Sequence, residues 1–407
     1  MNFQHLPQNW KRQSLAELVD KFDAGVSVNG GDRAAGDGEH GVLKVSAVTE
    51  GQFRPNENKI IEGVERDRAC VNPKHNRIII SRANTPELVG ANAYIDRDYP
   101  NLFLSDKLWQ LEPRKEKAVS MRWLGFVLGS TVYRKKMSKL ATGSSQSMKN
   151  ISQLSVMQLE ISVPPIMEQE GIAEIIGIWD IAIEKTERLI AARAKQKSWI
   201  LSHVISRKGR EVKLGYFLNL ESRPVPKPIE PYWALGIRSH GKGTFQRFVE
   251  DPSSVGMDEL YEVKNNDLII NITFAWEGAI ASVKLEDERC LVSHRFPTYE
   301  INRKKADPDF IKYIVNCKAF FSKLALISPG GAGRNRVLNK KEFLKLSAVL
   351  PPLDEQRRLA HILGTIDELI AKEMLQLQAL RLQKRGLMQK LLTGQWRVNT
   401  KTKKAAA

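Results

Sequence analysis

Residues 164–185 read PPIMEQEGIAEIIGIWDIAIEK, and residues 351–372 read PPLDEQRRLAHILGTIDELIAK, an offset of 187 residues. At that one offset Glu168-Gln169 falls on Glu355-Gln356, Ala173 on Ala360, Asp180 on Asp367, Ile183 on Ile370, Lys185 on Lys372 and Lys197 on Lys384. Chance does not hold phase over so long a stretch, so the chain is two copies of one unit of about 190 residues. Upstream the same offset places Gly143 on Gly330, Leu159 on Leu346 and Trp123-Leu124 on Phe310-Ile311. Further back the phase drifts, as loops of unequal length make it, yet Ile78-Ile79-Ile80-Ser81 still resembles Leu268-Ile269-Ile270-Asn271.

Each copy changes character at its Pro-Pro pair. Before it, short β-rich runs alternate with Gly, Pro and Asn turns, which predicts a mixed α/β globule with a curved sheet. After it, apolar residues recur with alternating 4-3 spacing. In the first copy the a/d positions are Ile172, Ile176, Trp179, Ile183, Thr186, Ile190, Arg193, Lys197, Ile200 and Val204; in the second they are Leu359, Leu363, Ile366, Ile370, Glu373, Leu377, Leu380, Lys384, Leu387 and Leu391. One such stripe fits a helix lying on its own domain as well as a coiled coil. Two stripes matched in length and phase, with polar residues at equivalent positions (Thr186/Glu373, Lys197/Lys384), favour helices that pair with each other in one register. Since equivalent faces are buried by a two-fold, the pair is expected to be antiparallel, with one globule at each end. The predicted class is α+β: globules over 1–160 and 209–350, helical regions over 164–208 and 351–398, and a basic tail over 399–407.

Composition narrows the partners. The 407 residues carry 63 Lys+Arg against 46 Asp+Glu, a net +17, which favours a polyanion or an acidic surface over a neutral small molecule. The start (MNFQHLPQNWKR) has no apolar leader run and no later stretch approaches the ~18 apolar residues of a membrane span, so a cytoplasmic protein without a membrane partner is expected. Cys70, Cys290 and Cys317 are distant from one another and never form CxxC, which fits a reducing compartment and argues against a zinc site.

No self-sufficient active site is legible. Gly236 to Lys242 matches GxxxxGK, but Gly243 stands where a phosphate-binding loop needs Ser or Thr for magnesium. The seven histidines show neither HxxxH nor HExxH spacing, so no metal site is expected. There is no GxSxG elbow and no Asn-Pro-Pro-aromatic tetrapeptide of amino-methyltransferases. What remains is binding. Residues 130–150 carry five Lys/Arg and no acid, and the equivalent 317–341 carries six and no acid. Each starts helix-like and ends in a Gly-rich polar loop, where backbone N–H groups can approach phosphate and side chains can reach base edges. A basic run is also what a solvated face looks like; its recurrence at the same place in both copies favours nucleic acid. The candidate DNA-binding residues are Arg82, Lys107, Lys139, Gly143, Ser144, Ser145, Gln146, Lys149 and Asn150 in the first copy, and Arg238, Thr273, Trp276, Arg295, Arg334, Asn335, Arg336, Asn339 and Lys340 in the second.

The paired Pro-Pro-x-x-Glu-Gln helix starts, the Gly143-Ser144-Ser145-Gln146 loop and the segment Lys384 to Gly394, ending Leu391-Leu392-Thr393-Gly394, resemble the DNA-specificity subunit of type I restriction-modification systems over nearly the whole chain. The first copy departs from the pattern, reading Ile200-Leu201-Ser202-His203-Val204-Ile205-Ser206 where the second has its Leu-Leu-Thr-Gly ending. The resemblance implies two target-recognition domains alternating with two antiparallel helical spacers. It implies a non-catalytic chain that selects an asymmetric, bipartite double-stranded DNA site for two methyltransferase subunits, and for two motor-nuclease subunits where restriction accompanies modification. It implies no cofactor in this chain; S-adenosylmethionine, ATP and Mg²⁺ belong to the partners. The competing reading is a coiled-coil scaffold spacing two protein-binding globules, and a steep fall of DNA affinity with salt distinguishes the two.

The helices are also expected to act as a ruler. From Ile172 to Val204 is 33 residues, about 50 Å at ~1.5 Å per residue, or roughly 15 base pairs at ~3.4 Å each. Inserting one heptad into both helices, after Ile190 and after Leu377, keeps the seam in phase and adds ~10 Å. Sequencing the methylated sites of cells carrying this variant is expected to show a spacer about three base pairs longer with both half-sites intact; an unchanged spacer at full activity refutes the ruler.

Overall fold

The computed structural model describes residues 6–49, 51–143, 148–204, 209–330 and 336–398. Among them, those up to Lys185 together with those from Leu377 form one compact unit, and Thr186–Gln376 form the other. Each unit is therefore composite. It contains one globule, the start of that globule's own long helix, and the end of the other copy's long helix.

The globules share a plan. In the first unit Val19–Ala24, Leu108–Pro113, Arg77–Ser81 and Asn92–Ile95 form a four-stranded antiparallel sheet in that order. In the second unit Leu218–Glu221, Thr298–Ile301, Leu268–Ile270 and Ile280–Ser282 repeat it. Successive strand side chains point to opposite faces, and the apolar triplets use both. Ile78 and Ile80 enter one core while Ile79 enters another; Leu268 and Ile270 enter one core and Ile269 another. All six are fully buried, which explains why these runs are continuously apolar and do not alternate. The units differ at their second sheet. The first unit has three strands there (Asn58–Ile60, Gly41–Leu43, Leu102–Phe103), whereas the second has five, including the hairpin Tyr232–Ile237 and Thr244–Val249.

The long helices span Ile166–Trp199 and Leu353–Leu392. Proline is tolerated ahead of a helix because the first N–H groups have no partner inside it, and Pro165 O accepts from Glu168 N and Gln169 N at 2.9 and 3.0 Å. The glutamine of each motif then fastens the helix to its globule. Gln169 Oε1 accepts from the Ser120 backbone N–H and its Nε2 donates to Pro164 O, both at 2.9 Å. Gln356 does the same with Asp307 N and Pro351 O, again at 2.9 Å. Ser120 and Asp307 are themselves N-caps, of the helices Met121–Gly129 and Pro308–Val315, so the glutamine occupies the cap residue's own N–H while the cap side chain serves the helix.

None of the seam residues Ile172, Ile176, Trp179, Ile183, Ile190, Leu359, Leu363, Ile366, Ile370, Leu377, Leu380 and Leu387 is exposed. Their partners correct the simple coiled-coil picture. Ile172 and Ile176 pack in the same core as Trp123 and Leu124, and Leu359 and Leu363 in the same core as Phe310 and Ile311. The first turns of each stripe thus lie on their own globule. Beyond them polar pairs fix a second helix alongside. In the first unit Asp180 meets Lys384 at 2.5 Å; in the second Asp367 meets Lys197 at 2.6 Å and Glu373 meets Arg193 at 2.6 Å. In the second unit one index falls by four as the other rises by six, the signature of an antiparallel pair. The Asp–Lys pairs are the same contact made twice, since Asp180 and Asp367, and Lys197 and Lys384, are repeat equivalents. Even the ring beneath each lysine repeats: Lys384 lies over Phe126 at 5.5 Å and Lys197 over Tyr313 at 4.9 Å.

The helix ends differ, as their sequences do. The second runs regularly to Leu392 and stops at Gly394 (φ +72°), where any Cβ would strike Pro7 Cγ. Beyond this turn Arg397 reaches the buried Glu168 carboxylate at 2.6 and 2.9 Å, and Trp10 Nε1 donates to it at 3.1 Å. The first instead passes at Trp199 into a π-helical turn, Ile200–Val204, which places Ile200 in the second unit's core.

Removing either glutamine takes the partner from a half-buried backbone N–H, a cost of about 1 kcal/mol. Gln169→Ala is expected to accelerate hydrogen exchange at the Ser120 amide and leave Asp307 protected, and Gln356→Ala to do the reverse. Loss of protection at both amides from either change contradicts two independent anchors.

Candidate nucleic-acid interface

Where the central strand of each four-stranded sheet ends, the chain enters a short backbone ladder that joins three segments. In the first unit Arg82 N donates to Lys107 O at 2.9 Å and Ile151 N donates to Arg82 O at 3.0 Å. In the second unit Ile272 N donates to Arg295 O at 3.1 Å and Leu338 N donates to Ile272 O at 2.9 Å. Ile151 and Leu338 are repeat equivalents, so Lys107 matches Arg295 and Arg82 matches Ile272. The segment that follows each acid-free run is thereby sewn beside the end of the apolar strand.

This brings most of the candidates together. In the first unit Lys149–Asn150 pairs with Ala83–Asn84, Asn150 and Thr142 exchange backbone bonds at 2.8 and 2.9 Å, and Lys149 Nζ donates to Gly143 O at 2.5 Å. Gly143 adopts φ +134°, a conformation that strains any other residue. Arg82, Thr142 and Asn150 line one open cleft of 580 Å³ with Asp106 and Gln153. In the second unit the Arg336 guanidinium lies 5.3 Å over Trp276, whose Nε1 donates to Thr273 O at 3.2 Å, and Lys340 Nζ donates to His294 O at 3.3 Å beside Arg295. Thr273 N is itself held by Asn271 Oδ1 at 3.1 Å.

Other candidates stand elsewhere. Arg238 is on the turn of the Tyr232–Ile237/Thr244–Val249 hairpin, in the five-stranded sheet, with Nη1 donating to Thr244 O at 2.9 Å. Lys139 is exposed in the last turn of the helix Thr131–Leu140. Ser144, Ser145, Gln146, Arg334 and Asn335 lie outside the described residues, as does the tail from residue 399.

Two sequence readings change, while a third, the mismatch of Gly236 to Gly243 with a phosphate-binding loop, has a structural counterpart. The GxxxxGK match is a hairpin turn: His240 N and Gly241 N donate to Glu277 O and Gly278 O at 2.7 and 3.0 Å, so these amides are committed and no helix follows to receive phosphate. Asn339 is a helix cap, its Oδ1 accepting from Lys341 N and Glu342 N at 3.0 and 3.4 Å. The acid-free runs are not wholly surface either. Arg134 donates to Val89 O and Glu87 O at 2.9 and 2.8 Å, and burial holds its pKa below the usual arginine value; Lys323 donates to Ser347 O at 2.7 Å. Asp106, Thr142 and Gln153, which carry no compositional signal, line the cleft with Arg82. Among the described residues no group of three or more His, Cys, Asp or Glu is placed to hold a metal ion, and no helix is long and apolar enough to cross a membrane.

Comparison with known proteins gives one consistent result. A family profile described as the type I restriction modification DNA specificity domain matches residues 7–192 and 229–380. The chain is 21% identical over 418 residues to the MjaX type I restriction enzyme specificity subunit of Methanocaldococcus jannaschii, covering 97% of this chain and 95% of that one. The crystal structure of a type I restriction-modification S subunit from M. genitalium superposes with a TM-score of 0.56 at 15% identity, covering 96% of this chain and 98% of that one. A chain from a structure of type I restriction-modification complex assembly superposes with a TM-score of 0.51 at 15% identity, over 95% and 98% of the two chains. At these identities the superpositions speak to the fold alone.

Because Asn339 caps a helix, Asn339→Ala is expected to lower the stability of the second unit by about 1 kcal/mol, whereas Asn339→Ser or Asn339→Asp restores most of it. Base preference is expected to be the same in all three variants; a changed preference in the Ser or Asp variant means that the amide also touches DNA.

Proposed function

The chain belongs to the type I restriction-modification DNA specificity family, and from that membership we propose that it reads a bipartite DNA site and presents it to two methyltransferase subunits. The observation that carries this reading is that the specificity-domain profile matches twice in one chain, once per copy. Each match covers a globule in which the same backbone ladder gathers basic and polar side chains at a strand end. The two faces are not alike. Arg82 in the first unit is matched by Ile272 in the second, and Arg336, which lies over Trp276, is matched by Lys149, which donates to Gly143 O. The half-sites are therefore different sequences, and the whole target is asymmetric.

Lys and Arg near the ladders contribute phosphate attraction, while Asn, Thr and Arg contribute contacts at base edges. Methyl transfer, and any ATP-driven restriction by motor-nuclease subunits, belongs to partner chains that carry S-adenosylmethionine, ATP and Mg²⁺. This chain supplies address and spacing without catalysis. Within each unit a Lys–Asp pair fixes the register of the two long helices.

Exchange of residues 1–150 for the equivalent part of a relative tests the modularity. Sequencing of methylated sites is expected to show one half-site replaced and the other retained; a change in both, or in neither, rejects the proposal.

A further inference from the structure

The cleft of the first unit holds an arginine prepared for a ligand of a particular shape. Arg82 is fixed at its backbone on both sides by the ladder, and its Nε donates to the Asp106 carbonyl at 2.6 Å. The guanidinium lies 5.9 Å over the ring of the buried Trp109. With Nε committed, both Nη groups are without a hydrogen bond or ion pair among the described residues. A guanidinium held in this way loses little rotamer freedom when a ligand arrives, and its remaining fork suits two acceptors side by side. Guanine O6 with N7, or two phosphate oxygens, meet that requirement.

Asp106 decides between them. It lines the same cleft, and its carboxylate has no partner among the described residues; it forms no ion pair with Arg82. A phosphate brought onto the Arg82 fork would be repelled by that carboxylate. The major-groove edge of a G·C pair instead carries guanine acceptors directly beside the cytosine N4–H₂ donor. We propose that Arg82 and Asp106 together read one G·C pair in the half-site of the first unit, Arg82 donating to guanine O6 and N7 and Asp106 accepting from cytosine N4. The pairing of charge with base edge is complementary for G·C and mismatched for C·G, A·T and T·A, so the position is oriented as well as typed. In the second unit the equivalent residues are Ile272 and His294, which carry neither fork nor carboxylate. The signature is therefore confined to one half-site.

This inference rests on the DNA-reading function above. The test uses the full chain assembled with its methyltransferase subunits and duplexes bearing the site found by sequencing methylated DNA. The half-site of the first unit is identified by the 1–150 exchange. Replacing its guanines one at a time with 7-deazaguanine removes the N7 acceptor without altering the protein, and is expected to weaken binding by roughly 5- to 150-fold at a single guanine. Arg82→Lys, and Asp106→Ala, which keeps the carbonyl that holds Arg82, are each expected to relax the methylated motif at that base pair and nowhere in the other half-site. The proposal is overturned if that half-site contains no G·C pair, or if it binds selectively with no guanine sensitive to loss of N7. It is equally overturned if both variants methylate an unaltered motif. A wild-type complex with no sequence-selective binding at all removes the DNA-reading function as well.

Discussion

The structure depends on one contact made twice. An aspartate about four turns into each long helix meets a lysine near the end of the other, and because these four residues are repeat equivalents, each compact unit contains one such pair. The pairs are partly exposed, with side-chain exposures of 18% for both partners in the first unit and 28% and 41% in the second. Ion pairs of that kind contribute about 0–1 kcal/mol each. Their value lies in register. A slip of one heptad parts each aspartate from its lysine and sets it against an apolar seam residue, Leu377 or Leu391 for Asp180 and Ile190 or Val204 for Asp367. Apolar packing supplies the adhesion, and the charges select which of several apolar alignments is adopted.

Around that contact the parts of the motif divide their work. Proline starts the helix, glutamine ties its first turn to the cap of a neighbouring helix, and the first seam residues sink into the globule. Only then does the stripe turn to the other helix. The glutamate between proline and glutamine has separate uses in the two copies. Glu168 is buried under Trp10 and Arg397, whereas Glu355 pairs with Arg358 one turn along its own helix. Identical letters at equivalent positions thus answer to different neighbours.

The repeat and the class of each segment were legible in the sequence as an offset of 187 residues and as local periodicity, and the antiparallel sense of the helices followed from the two-fold that two equivalent copies imply. The helix-facing stripe was legible as a stripe, but not its division between globule and partner helix, since both surfaces want the same apolar residues. The surface candidates were harder. Composition identifies a basic run and says nothing about which cations turn inward; Arg134 and Lys323 satisfy backbone carbonyls, and only the fold reveals it. Asn339 shows the same ambiguity, as an asparagine ahead of a short helix is a cap by local chemistry and a base reader by composition. Asp106 was missed for the opposite reason. A lone acid inside a basic surface has no compositional signal, and its meaning comes from the arginine that its own carbonyl holds in place.

The composite make-up of the units has a consequence for how chains recognise themselves. One copy of the repeat carries an aspartate, a lysine and a seam that are all complementary to a second copy, and nothing in those contacts distinguishes a copy in the same chain from a copy in another. A single repeat is in effect one half of a self-complementary dimer, and the covalent link between the copies converts a two-body association into an intramolecular one. That link frees the two globules to diverge, since in a true dimer any change in one reading surface would be forced on both. In this chain the helices keep the correspondence of the two copies, and the globules depart from it, as at Arg82 and Ile272.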